Sequence, residues 1–254
     1  MIESLAVIKA KLLVKSLVPQ YPIDIQWLTD QVLHKPSIIH ECDMDKGCSA
    51  VIVDKPHYAK IHIGVNNQHP KHKQRFGIVH EIAHIYCEHK GNISFIDEEE
   101  DPVLRREADS FATEVLMPTY YVLSLSPTND NPLKLAWALY SRFKVSYEAA
   151  CRRILELGIY QGLFAMFNRR EYFCMHRSPG FSFNNEQLKK YLDVMTPQME
   201  HGEKWAQEVK MHGSSYILYI QRFNTGNYLA FLVAAERNRT HFYNFVLKCI
   251  AGIR

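Results

Sequence analysis

The sequence lacks long apolar runs, closely spaced cysteines and a large excess of either charge. Among its 254 residues no run of about eighteen apolar residues occurs, so we expect no membrane-spanning helix. Lysine and arginine number 30 against 27 aspartates and glutamates, and a net charge of +3 does not by itself indicate nucleic-acid binding. The sequence also contains no internal repeat, phosphate-binding loop or Ser/His/Asp pattern, which argues against repeat proteins, phosphate-loop nucleotide-binding proteins and serine hydrolases.

Cysteine usage and the first residues indicate a cellular compartment. The six cysteines are scattered, and no two are spaced as C-x-x-C: Cys42, Cys48, Cys87, Cys151, Cys174 and Cys249. The first residues lack the basic-then-apolar layout of a secretory signal. We therefore expect reduced thiols in a soluble protein of the cytoplasm.

One segment contains the pattern H-E-x-x-H: Arg75-Phe-Gly-Ile-Val-His80-Glu81-Ile-Ala-His84. In a helix, His80 and His84 lie on the same face, so both imidazoles can bind one metal ion. Zinc suits histidine nitrogen and carboxylate oxygen, and catalytic zinc keeps one position open for water. Glu81 lies about 100° further around the helix, where it can reach that water without binding the metal. The pattern predicts two zinc ligands and a general base.

A second helix is predicted between Pro102 and Pro118, because proline suits the first helical position and ends a helix when it follows one. Its acidic residues matter, since two histidines leave a catalytic zinc ion one short of its usual three protein ligands. We therefore expect an acidic residue of this helix at the metal.

The rest of the chain predicts an α+β protein, with an apolar content of 47 % that is ample for a packed core. Helices are expected over Ile2–Val18, from Asp24 to Leu33, from Pro132 and from Ser146, and strands over Ser49–Asp54 and Ala59–Val65. From Gly162 we expect a smaller α+β domain: hairpins at 163–175 and 214–235, the second with a turn at Asn224–Asn227, and a helix over Glu186–Met195. Residues 241–250 fit a strand or a helix.

The helices from Pro132 and Ser146 are separated by a short turn, as in a helix-turn-helix module that reads DNA. The second helix exposes only Glu148, Arg152 and Arg153 as charged residues, which is a thin basic face. We expect these helices to pack within the protein, and we do not expect direct nucleic-acid binding or membrane binding.

Three ordered motifs carry a resemblance: Arg75-Phe76-x-x-x-His80-Glu81-x-x-His84, then Ala108-Asp109-x-Phe111-Ala112-x-x-x-Leu116-Met117-Pro118, then Phe143-Lys-Val145-Ser146 leading to Arg153-x-Leu155-x-x-Leu157-Gly158. With them, residues 5–160 resemble the ImmA/IrrE family of zinc metallopeptidases. The resemblance implies a mostly helical zincin-like metallopeptidase domain with a small β-sheet at 1–159, and a sensor-like α+β accessory domain at 160–254. It further implies a Zn²⁺-dependent endopeptidase whose protein substrate is an intracellular regulator, a helix-turn-helix repressor, in a phage, mobile-element, defence or stress response.

One position departs from the family pattern. The family's zinc-binding glutamate lies three residues before the alanine of the second motif, and that residue is Arg105 here. Arginine keeps its proton and cannot bind zinc. Glu107 and Asp109 remain; we favour Glu107 as the third ligand with Asp109 orienting a ligating histidine, and Asp109 as the ligand is the alternative. The same departure supports a second interpretation, a catalytically degenerate zincin-fold protein with a regulatory or binding role.

Overall fold

The computed structural model describes residues 4–89, 101–126, 131–168, 172–183, 185–195, 204–211, 214–223 and 227–235. The chain divides into two compact units: an N-terminal unit of Met1–Thr119 with Leu139–Ser146, and a C-terminal unit of Tyr120–Ala138 with Tyr147–Arg254. The α+β class is confirmed. The domain boundary after residue 159 stays a prediction, and the expected turn residues 224–226 and the apolar segment 241–250 lie outside the described residues.

Helices and strands follow one another along the whole chain. The helices are α1 Leu5–Leu17, α2 Ile25–Val32, α3 Lys71–Tyr86, α4 Pro102–Leu116, α5 Thr119–Leu125, α6 Pro132–Phe143, α7 Tyr147–Glu156 and α8 Asn185–Met195. The strands are β1 Ser37–Cys42, β2 Ala50–Val53, β3 Ile61–Asn66, β4 Gly162–Phe167, β5 Tyr172–Arg177, β6 Lys204–Met211, β7 Ser214–Arg222 and β8 Tyr228–Ala234. No helix of the described ranges is long and apolar enough to cross a membrane.

Side-chain caps start the helices of the N-terminal unit where the sequence predicts them. The Asp24 carboxylate accepts a hydrogen bond from the backbone N–H of Trp27 at 2.9 Å, and Asp101 accepts one from Val103 at 2.8 Å. Pro102 occupies the first turn of α4, where a missing N–H costs no helical hydrogen bond. These caps fix the start of α2 and of α4, the helix expected to carry the acidic residues.

The N-terminal unit contains a three-stranded sheet in the order β1-β3-β2, with β1 parallel and β2 antiparallel to β3. The central strand has Ile61 and Ile63 fully buried. The sequence did not predict β1. This strand lies at the edge of the sheet and exposes His40 and Glu41, so it lacks a regular alternation of apolar residues.

Helix α3 packs against β2, β3 and α4, and α1 packs against α4. Gly77 of α3 lies close to the start of β2. A Cβ atom at this glycine would lie 3.0 Å from Cβ of Ser49 and 3.1 Å from Cβ of Ala50. The missing side chain therefore lets the H-E-x-x-H helix lie directly against the start of β2.

The C-terminal unit contains a five-stranded antiparallel sheet in the order β5-β4-β8-β7-β6. One face packs Leu163 and Leu232 with Leu188 of α8. On the other face Phe164 stacks on His176, whose ring contacts Glu148 of α7. The expected strand pairs are confirmed. Strand β6 was missed, because it is an edge strand that exposes Gln207, Glu208 and Lys210.

Candidate metal centre

Helix α3 carries the H-E-x-x-H residues and anchors them with a buried apolar side. Val79, Ile82 and Ala83 are fully buried within the N-terminal unit. The rings of His80 and His84 lie next to each other, with centroids 4.9 Å apart. The predicted helix is confirmed, and so is the presence of both histidines on one face of it.

The two histidines face each other through the same ring atom. Nε2 of His80 lies 3.1 Å from Nε2 of His84. Two nitrogens that bind one tetrahedral zinc ion at about 2.0–2.1 Å are separated by about 3.3 Å. The distance between the two nitrogens is therefore compatible with binding of one zinc ion by both rings.

Asp109 of α4 supports the first histidine. Its Oδ1 atom lies 2.8 Å from Nδ1 of His80, whose side chain is 12 % exposed. A carboxylate behind the ring fixes the proton on Nδ1 and leaves the lone pair on Nε2, the nitrogen that faces His84. This contact is compatible with the orienting role expected for Asp109, which stays a prediction.

His89 contacts the second histidine. The sequence did not predict this contact, because a histidine that closes a helix is ordinarily a surface residue. Its Nδ1 atom lies 3.0 Å from Nδ1 of His84. Its Nε2 atom lies 3.2 Å from Oε2 of Glu107, and only 6 % of its side chain is exposed. Glu107 therefore contacts His89, at the far side of His84 from His80.

The backbone after α3 explains why His89 returns to the site. Its N–H donates to the carbonyl of His84 at 3.0 Å, and the N–H of Glu88 donates to that of Ile85 at 3.1 Å. Between them Glu88 has a φ of 59°, in the left-handed region. These are the bonds of a Schellman motif, which usually has glycine at the left-handed position. Without a glycine, the sequence gives little signal for this turn.

His84 is neutral at neutral pH. Its pKa is lowered to about 4, first by burial and then by the neighbouring rings of His80 and His89. Neutral imidazole is the form that binds metal. Protons therefore compete weakly for this ring above mildly acidic pH.

The charge of Glu81 acts on a cysteine that lines a cavity of the N-terminal unit. It helps burial to raise the pKa of the Cys48 thiol. Cys48 lines a cavity of about 550 Å³ together with Asp43, Met44, Asp45, Lys46, Val51 and Gln68. Glu81 itself is not among the residues that line this cavity.

The described residues bring together the two histidines predicted as zinc ligands, His80 and His84. Within those ranges no group of three or more His, Cys, Asp or Glu side chains could hold a metal ion. The carboxylate of Glu107 contacts His89, and the carboxylate of Asp109 contacts His80. A third ligand on α4 therefore stays a prediction for both carboxylates, as does the metal-binding role of the histidines and the catalytic role of Glu81.

Cys87 follows α3 directly and is half-buried. Burial raises the pKa of its thiol, and the charge of Glu107 raises it further, against the lowering effect of Lys9. Redox-sensing cysteines need a lowered pKa, since the thiolate is the reactive form. The environment of Cys87 suits a structural thiol.

Comparison with known proteins gives two findings that bear on this site. Residues 39–155 match the family model Peptidase_M78, described as the IrrE N-terminal-like domain. The match contains α3 and α4, and with them every residue of the candidate centre. It confirms the resemblance found in the sequence, and it shows a peptidase-type fold related to regulatory metallopeptidases.

The second finding is a likeness of folds. A solved structure titled Mycobacterium tuberculosis transcriptional regulator has a TM-score of 0.58 and 15 % identity, over 90 % of this chain and 87 % of that chain. At this identity the likeness shows the fold alone. A search of curated proteins finds no match.

Proposed function

We propose that the protein, whose residues 39–155 match the IrrE N-terminal-like domain, is a zinc-dependent endopeptidase that cleaves a regulatory protein. The observation that carries the proposal is the pair of Nε2 atoms, 3.1 Å apart and each backed at Nδ1 by a hydrogen-bonded partner. The proposed substrate is a helix-turn-helix repressor, in keeping with the family that the sequence resembles. Its cleavage would relieve repression in a phage, mobile-element, defence or stress response.

The residues divide the chemistry between them. His80 and His84 would hold the zinc ion through Nε2, with an acidic residue of α4 proposed as the third ligand. Zinc at this place would polarise the scissile carbonyl and make an attacking water more acidic. Glu81 would accept the proton of that water and return it to the leaving amine as the peptide bond breaks.

The test compares wild type with Glu81→Gln, which keeps the shape of the side chain and removes the base. Both zinc-loaded proteins are incubated with the soluble proteome of the host, and newly formed amino termini are labelled and identified. We expect new termini within a helix-turn-helix protein with wild type, none with the variant, and equal zinc content. Wild type that carries zinc and creates no new termini would overturn the peptidase proposal.

A second function is favoured by one observation. Arg105 stands on α4 at the position where the family that the sequence resembles has a zinc-binding glutamate. A regulatory protein that keeps the zincin fold without catalysis fits that composition. Purified protein that remains without zinc even after zinc is added, together with specific binding of a repressor, would favour this function over the peptidase.

A further inference from the structure

Each histidine of the H-E-x-x-H pair is supported from α4, one directly and one through a further imidazole. Asp109 contacts His80, whereas Glu107 contacts His89, which in turn contacts His84. The direct support is common behind metal-binding histidines. The longer path places a second imidazole, that of His89, between the carboxylate of Glu107 and the predicted ligand His84.

The contacts of His89 give both of its ring nitrogens a partner. The carboxylate of Glu107 only accepts, so Nε2 of His89 donates to it. Nδ1 of His89 meets Nδ1 of His84 at 3.0 Å, a contact in which either ring can donate. When Nε2 of His84 binds a cation, the proton of that ring lies on Nδ1, so Nδ1 of His84 is then the donor and His89 the acceptor.

The surroundings of His89 restrain its ring and its backbone. Its side chain is almost fully buried, so water competes weakly for either ring nitrogen. Its ring lies 5.0 Å from that of His84 at an angle of 73°. Its backbone N–H is bonded to the carbonyl of His84 itself. Both the ring and the backbone of His89 are therefore tied to the residue that it supports.

We propose that His89, held by Glu107, is a positioning residue that accepts a hydrogen bond from Nδ1 of His84 and holds that ring for metal binding through Nε2. Glu107 then acts through His89 and not at the metal, which leaves Asp109 as the candidate on α4 for the third ligand. The proposal rests on the metal-binding part of the proposed function and is independent of peptide cleavage.

The first test follows the proton on Nδ1 of His84 in the zinc-loaded full-length chain. Long-range ¹H–¹⁵N spectra assign this proton, and its rate of exchange with water is measured. In wild type we expect slow exchange, because Nδ1 of His84 donates to His89. In His89→Ala the exchange is expected to be faster, and in His89→Gln slow exchange is expected to return, because the amide oxygen can accept the same hydrogen bond. An unchanged exchange rate in a folded His89→Ala protein would overturn the proposal.

The second test measures zinc affinity by competition with a chromogenic chelator. We expect His89→Ala to weaken zinc binding about 10–100-fold, the range found when a hydrogen-bonded support is removed from a metal-binding histidine. Glu88→Gln, at the exposed neighbouring position, is the matched control and should leave the affinity unchanged. Far-UV circular dichroism and the unfolding midpoint of each variant establish that the chain is folded.

A double-mutant cycle separates the two roles of Glu107. If Glu107 acts through His89, then Glu107→Ala adds no further loss of affinity in a His89→Ala background. If Glu107 is a direct ligand, its removal weakens binding by the same factor in both backgrounds, and the proposal is overturned. Because none of these readouts requires hydrolysis, absence of peptidase activity would contradict the proposed function and leave this inference standing.

Discussion

The Nε2 atoms of His80 and His84 lie 3.1 Å apart, and each ring is held at its other nitrogen, by Asp109 in one case and by His89 in the other. In this arrangement both rings are already restrained before a cation binds. A metal site prepared in this way loses little side-chain entropy on binding. The supports behind the rings are therefore expected to contribute to affinity as much as to geometry.

Asp109 provides the most direct test of such a support. We expect Asp109→Ala to weaken zinc binding about 10–100-fold, because Nδ1 of His80 loses its acceptor. Asp109→Asn should lose less zinc affinity, since its amide oxygen still accepts the hydrogen bond from Nδ1 of His80. Chelator competition measures both, with Ser110→Ala as the control on the same helix. Loss of all bound zinc in Asp109→Asn would instead identify Asp109 as the third ligand.

Gly77 tests how closely α3 must lie against the sheet. We expect Gly77→Ala to lower the free energy of unfolding, because its Cβ would lie 3.0 Å from Cβ of Ser49 and 3.1 Å from Cβ of Ala50. Crowding of this kind lowers the free energy of unfolding by about 1–3 kcal/mol, whereas the higher helix propensity of alanine raises it by about 1 kcal/mol.

Urea unfolding at constant pH measures the Gly77 effect. Gly47→Ala is the matched control, because nothing lies within 4 Å of a Cβ atom at that glycine. A more stable Gly77→Ala protein would mean that β2 moves away without cost, contrary to our interpretation of the contact.

Glu88 lies in the left-handed region with a φ of 59°. We expect Glu88→Gly to raise the free energy of unfolding by up to about 1 kcal/mol, since glycine adopts this conformation without steric cost. Glu88→Ala keeps a Cβ atom, so it retains the steric cost of the left-handed conformation and serves as the control. Zinc affinity should stay the same in both variants, because the backbone bond from His89 to His84 is kept. A destabilised glycine variant would show that the Glu88 side chain stabilises the turn.

Tyr147 makes the stability of the C-terminal unit sensitive to alkaline pH. Burial raises the pKa of its phenol far above the usual value of about 10, with a further contribution from Cys151. The unfolded chain releases this proton near pH 10 and the folded chain keeps it. The free energy of unfolding should therefore decrease as the pH rises above about 10.

The Tyr147→Phe variant isolates that effect. It lacks the hydroxyl that donates to the carbonyl of Leu133 at 3.0 Å, so we expect it to be less stable at neutral pH by about 1 kcal/mol. Above pH 10 the two proteins should converge in stability, as measured by urea unfolding at a series of pH values. Curves that stay parallel throughout this range would contradict the expected ionisation.

The sequence predicted those parts of the site that depend on local periodicity. Spacing alone was enough to place His80 and His84 on one helical face, and prolines were enough to bound α4. The contacts of Asp109 and Glu107 depend on how α4 docks against α3, which no local pattern encodes. His89 was missed for a further reason: Glu88 occupies the left-handed position at which a glycine would have indicated the turn.

The same distinction holds for the sheets. Central strands such as β3 carry buried isoleucines at alternate positions and were predicted. The edge strands β1 and β6 expose polar side chains, because only one of their edges is paired and part of their surface faces water. Their strand conformation is imposed by the neighbouring strand.

The supports of the two histidines differ in their distance along the chain, and this difference sets an order of assembly. His89 is five residues from His84, whereas Asp109 is 29 residues from His80. Closing the longer loop costs about 1.5 kcal/mol more in chain entropy. We expect the His84–His89 pair to form with α3 itself, early in folding, and His80 to gain its partner only when α4 docks. During synthesis, half of the arrangement would already exist before α4 has left the ribosome.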